Sequence, residues 1–138
     1  MQTKQGVSSI LKGTFMENTV EDSDGSALDY AQAFMDIGEE TGVSPYHLAS
    51  RVRQEQGLKG TSSLISGTYS GYEGYYNYFN VGAAGITSTL VIKNGLAYAK
   101  KAGWIPVMQR SKEAQKISGE KATLAWARIR CISRSLMW

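Results

Sequence analysis

Cysteine and histidine are nearly missing: Cys131 and His47 stand alone in a chain of 138 residues. A single thiol permits no disulfide framework, and one thiol with one imidazole cannot make a Cys/His metal centre. No apolar run approaches the ~18 residues that a membrane-spanning helix needs. The first nine residues lack the apolar region of a signal peptide, so an export signal is expected outside this chain. There is no internal repeat, no phosphate-cradling glycine loop and no nucleophile elbow, and neither a cofactor nor a metal is expected.

What is present is an ordinary globular composition, with 42% hydrophobic and 20% charged residues. That length suffices for one domain with its own core. The net charge of +3 raises nucleic-acid binding as a possibility, but its distribution matters more than its sum. Residues 1–104 hold 8 Lys/Arg against 10 Asp/Glu, net −2, whereas residues 105–138 hold 7 against 2, net +5. Basicity is therefore a property of the tail.

Residues 26–40 carry the period of an amphipathic helix: Leu28, Ala31, Met35 and Gly38 recur on one face, widened by Tyr30, Phe34 and Ile37. Gly42 is its expected stop. Ser44 and Pro45 then restart a helix as N-cap and first helical residue, and Gly57 ends it. On this second helix Leu48 and Val52 form the buried stripe, and three residues on from Val52 lies Glu55. A carboxylate is thereby turned toward the core in the last helical turn. Partial burial and the negative helix end both disfavour ionisation, as a general acid near neutral pH requires. An ion pair with Arg51 or Arg53 is the purely structural alternative. His47, early in the same helix, reads as a packed or capping residue.

From 58 to 84 no helical period survives. Gly60, Gly67, Gly71, Gly74 and Gly82 alternate with Tyr69, Tyr72, Tyr75, Tyr76, Tyr78 and Phe79, a glycine-jointed aromatic segment with room for a hairpin. Flat rings that stack on pyranose faces, beside amides such as Asn77 and Asn80 that bond hydroxyls, suit a sugar cleft. The alternative is that half of these rings pack the core, Phe79 foremost. A further helix is expected over 89–101, with Leu90, Leu96 and Ala99 inward and Gly95 weakening it.

Residues 44–57, SPYHLASRVRQEQG, and 60–85, GTSSLISGTYSGYEGYYNYFNVGAAG, resemble the glucosaminidase domains of clostridial-type autolysins, lysozyme-like peptidoglycan hydrolases of glycoside hydrolase family 73. KGTFME from Lys12 and NGLAYAKKAGW from Asn94 extend the likeness over residues 10–104. The resemblance implies a mainly α (α+β) lysozyme-like domain with a short β-hairpin walling the cleft. It makes Glu55, in RQEQG, the catalytic acid. It implies that Tyr78, Phe79 and Asn80 wall the cleft and that Ser62 and Ser63 support the acid. Tyr72, Tyr75, Tyr76 and Asn77 complete the expected substrate-binding set. Glu73 is the candidate second carboxyl, since β-glycoside hydrolysis usually employs two; the substrate's own 2-acetamido group is the alternative, and Glu73 is then an exposed loop carboxylate.

After Trp104 the resemblance stops. If each codon starts at the third base of the old one, Trp-Ile must read Asp, Met-Gln Ala, Trp-Ala Gly and Met-Trp Val. With permitted codons elsewhere, residues 126–138 re-read as GQNTLYLQKFDV, and Trp104 onward as DTR-DA and then IKGGAK, all family-like. Residues 105–138 are therefore expected to be a frameshifted tail that leaves the domain C-terminally incomplete; a divergent native tail, such as a basic amphipathic helix, is the alternative.

The expected activity is endo-β-N-acetylglucosaminidase cleavage of the GlcNAc-β-1,4-MurNAc bond. A lytic transglycosylase, an inactive glycan-binding remnant and, from the tail charge alone, a nucleic-acid binder are the competing readings. The partners expected are peptidoglycan glycan strands, with no nucleic acid and no membrane, bound by a monomer in the cell wall or outside the cell.

Overall fold

The computed structural model describes residues 2–22, 25–102, 104 and 124–136. It is mainly helical, with one small two-stranded antiparallel sheet. The first helix, α1 (Lys4–Leu11), starts at Thr3, whose hydroxyl accepts from Gly6 N–H, and it buries Val7 and Leu11. Strands β1 (Val20–Glu21) and β2 (Ala27–Leu28) pair with Val20 opposite Leu28. Helix α2 (Tyr30–Thr41) follows, capped by the Asp29 carboxylate on Gln32 N–H at 3.3 Å. The helix expected from residue 26 therefore begins later, because Ala27 and Leu28 are taken up by the hairpin and Asp29 supplies the cap.

Helix α3 (Pro45–Gln56) has the ends its sequence implies, Ser44 Oγ accepting from His47 N–H and Gly57 closing it. Leu48 and Val52 are fully buried in it. The α1, α2 and α3 helices pack on one another in a three-way contact. Helix α4 (Ser88–Lys101) is capped by Thr87 and buries Leu96 and Ala99 as expected, but Leu90 is 41% exposed. Gly95 sits in it for a packing reason: a Cβ there would lie 2.6 Å from Leu64 Cδ2 and 2.9 Å from Ala83 Cβ. Only a glycine lets the helix approach the 64–83 segment this closely.

The hairpin lies upstream of Glu55, not inside the aromatic segment, which has room for one. Among the described residues 58–84 contain no strand; they run as consecutive turns. Left-handed backbone at Gly60, Gly67, Gly71, Gly74 and Gly82 turns the chain too often for a ladder to form.

The last helix, α5 (Leu124–Ser135), packs against α2 and β2. Ala125, Ile129, Ile132 and Leu136 fall at helical spacing, and Ala125, Cys131 and Ile132 join the same core cluster as Phe34, Tyr76 and Trp104. The core thus runs beyond residues 10–104 at both ends, through Val7 in α1 and through α5. The described part of the basic tail covers this core with an apolar stripe. Two of its cations are also neutralised within the chain, Arg128 by Asp22 at 3.0 Å and Arg130 by Glu40 at 2.9 Å.

Candidate active site

Glu55 occupies the last turn of α3, half-buried, beside a cleft of about 490 Å³. Gln56, Ser62, Leu64 and Asn80 line it, as do Ile86, Thr87, Ser88, Val91 and Ile92 around the start of α4. Glu55 is the sole ionisable side chain among the described residues that line it. Neither alternative ion pair forms: the Arg51 guanidinium lies over the Phe79 ring at 5.4 Å, and Arg53 donates to Ile10 O at 3.3 Å.

The Glu55 side chain is held by Asn80. Its Nδ2 donates to the Glu55 backbone carbonyl and to Oε2, each at 3.0 Å. Asn80 adopts a positive φ of 54°, which asparagine tolerates better than most residues, and this swings its amide back onto the helix end. Its Oδ1 accepts in turn from Gln56 Nε2 at 2.9 Å. The same Gln56 nitrogen bonds Tyr78 O at 2.8 Å, so one buried amide fastens the end of α3 to the aromatic segment.

The other expected site residues divide sharply. Ser62 lines the cleft, its hydroxyl accepting from Leu64 N–H at 3.1 Å rather than bonding Glu55. Ser63 offers its backbone carbonyl to Ser66 Oγ and does not line the cleft. Asn77 is fully buried, Nδ2 donating to Val81 O and Gly95 O and Oδ1 accepting from Val81 N–H. With those bonds made inside the protein, it is a staple of the 77–81 turn and not a hydroxyl-binding amide.

Tyr76, Tyr78 and Phe79 are buried, which removes them from the cleft surface where stacking was expected. The Tyr78 hydroxyl meets that of Tyr30 at 2.9 Å. Burial raises the Tyr78 phenol well above its usual range and that of Tyr76 to about 12. Tyr78 is turned inward to its hydroxyl partners Tyr30 and Arg128, and Tyr76 to a glycine. A Cβ at Gly67 would fall 2.5 Å from the Tyr76 hydroxyl, so that ring rests on bare backbone. Phe79 follows the packing alternative.

Tyr72 and Tyr75 are half-buried and lie outside the lining of the cleft, Tyr72 pairing with Tyr69 at 6.3 Å under Lys100 at 5.9 Å. Glu73 is exposed and is not brought to Glu55's cleft. Its own backbone N–H and that of Gly71 hold its carboxyl below the usual carboxylate value. That environment suits a loop carboxylate capping a turn. His47 is exposed at the opposite end of α3 from Glu55.

Two contributors were missed by sequence reasoning. Gln56 was signalled: it is the residue four beyond Val52 in the buried row, just before the helix stop. Arg128, described below, had no local signal. Among the described residues no cluster of His, Cys, Asp and Glu could hold a metal ion, and no helix is long and apolar enough to cross a membrane. Comparison with models of protein families, with curated proteins and with solved structures finds no match.

Proposed function

We propose that this chain is a lysozyme-like peptidoglycan hydrolase, an endo-β-N-acetylglucosaminidase that cleaves GlcNAc-β-1,4-MurNAc bonds with Glu55 as the general acid. The observation that carries the proposal is the Asn80-held carboxylate of Glu55, half-buried at a helix end and open to a cleft of about 490 Å³. A carboxyl so placed can deliver a proton to a glycosidic oxygen as the bond to the anomeric carbon breaks. Apolar walls at Leu64 and Val91 with the hydroxyls of Ser62 and Thr87 suit an acetylated pyranose. With no second carboxylate lining the cleft among the described residues, the substrate's 2-acetamido oxygen is the candidate partner for the anomeric carbon, and Glu73 is not assigned that role. The site of action proposed is the cell wall, with glycan strands as the partner and no cofactor.

The test is mass spectrometry of walls digested by the protein. Reducing ends of N-acetylglucosamine are expected; 1,6-anhydromuramic acid would instead identify a lytic transglycosylase. The single carboxylate of the cleft also favours a second reading, a glycan-binding remnant without turnover. Wall suspensions that keep their turbidity with the protein as with its Glu55→Gln variant, while both proteins sediment with the wall, would establish that reading.

A further inference from the structure

We propose that Arg128, from the tail helix α5, is a positioning residue for Glu55, fixing the backbone to which Gln56 and Asn80 tie the acid. This rests on the reading of Glu55 as the acid.

The guanidinium of Arg128 is the hub of five groups. Nε donates to Asp22 Oδ1 at 3.0 Å, one NH₂ group to Ile65 O at 2.6 Å and to the Tyr78 hydroxyl at 3.1 Å, and the other to Ser66 O at 3.5 Å. Its flat face covers the Tyr76 ring at 4.8 Å. These groups come from the hairpin and from two turns of the 58–84 segment, at residues 65–66 and 76–78, stretches that share no regular secondary structure. A partly buried guanidinium fork pairs with several planar acceptors at fixed angles, which a lysine point charge cannot do.

From Tyr78 the connection to the acid is short. Tyr78 O accepts from Gln56 Nε2 at 2.8 Å, that nitrogen donates to Asn80 Oδ1 at 2.9 Å, and Asn80 Nδ2 donates to Glu55 Oε2 at 3.0 Å. Every bond in this series is made by a buried or half-buried group. Tyr78 and Gln56 are buried, so a partner lost there is not replaced by water, and the loss displaces the groups that they hold. Arg130, two residues on, pairs with Glu40 on the protein's surface. It is a matched control on the same helix.

The experiment compares the full chain with R128K, Y78F and R130M by wall-fragment release, and follows the Asn80 side-chain amide in ¹H–¹⁵N spectra. R128K and Y78F are expected to lower kcat by roughly 10- to 100-fold with KM little changed, and to shift the Asn80 amide. R130M is expected to match the parent in both. Unchanged kcat with an unshifted Asn80 amide in folded R128K would overturn the proposal. So would a loss of rate that vanishes when all variants are compared at the same interval below their melting temperatures. If the parent chain itself releases no fragments, the hydrolase reading fails, and the Asn80 amide alone decides: shifted by R128K and not by R130M it supports positioning, unshifted it refutes it.

Discussion

Asn80 holds Glu55 at two points with one nitrogen, Nδ2 donating at 3.0 Å to the backbone carbonyl and at 3.0 Å to Oε2. The acid and the end of its helix are thereby fixed together. Asn80→Ala removes both bonds and leaves an alanine at a φ of 54°; Asn80→Gly removes the bonds but relieves the backbone. Both variants are expected to lose roughly 10- to 100-fold in turnover. Alanine is expected to cost about 1 kcal/mol more in stability than glycine. Steady-state rates with urea unfolding separate the two effects.

At Gly95 two effects of opposite sign compete. Replacing a mid-helix glycine by alanine gains about 1 kcal/mol in helix propensity. The new methyl, however, would sit 2.6 Å from Leu64 Cδ2 and 2.9 Å from Ala83 Cβ, and overpacking of this kind costs about 1–3 kcal/mol. Gly95→Ala is therefore expected to lower the midpoint of urea unfolding, and because Leu64 and Ala83 line the cleft, to lower activity as well. A raised midpoint would mean that α4 is free to move away.

The helix boundaries near the site were readable because their signals are local. Gly42, Ser44, Pro45 and Gly57 each act through their own backbone. The stripe of Leu48 and Val52 was equally readable, and extending it by three or by four residues gives Glu55 at the core's edge and Gln56 within it. The orientation of the tyrosines was not readable. Residues 58–84 have no period, and the partner that draws Tyr78 inward, Arg128, lies 50 residues away. The place of the hairpin was misjudged for a similar reason, since glycine spacing signals turns without saying whether strands join them.

The buried phenols predict an alkaline limit to stability. Tyr76 is raised to about 12 and Tyr78 higher, both by burial, and burial also raises the Cys131 thiol. These groups stay protonated in the folded chain while they ionise in the unfolded one. Their contribution is complete below the unfolded values of 9.0 for the thiol and 10.0 for the phenols, and is lost as pH rises toward the folded ones. Each group in its window adds a slope of about 1.4 kcal/mol per pH unit. Urea midpoints should be level from pH 7 to about 8.5 and fall increasingly above pH 9. Tyr76→Phe should make the decline shallower.

The reading frame of the tail has a direct test in the gene. If the tail arose by a frameshift, an insertion or deletion lies within a few codons of Trp104 and the alternative frame is open through codon 138, encoding GQNTLYLQKFDV at its end. A stop codon in that frame would exclude this origin. The tail would then be the divergent native helix, consistent with the burial of Ile132 and the pairing of Arg128 with Asp22.

The most direct test of Glu55 as the acid is the release of new reducing ends from purified peptidoglycan by the parent chain and by Glu55→Gln, which keeps the shape and the Asn80 contact but cannot supply the proton. Release of N-acetylglucosamine reducing ends is expected from the parent, with a fall of roughly 100-fold or more in the variant at an unchanged melting temperature. Equal release from both proteins would show that Glu55 is not the acid and would contradict the account.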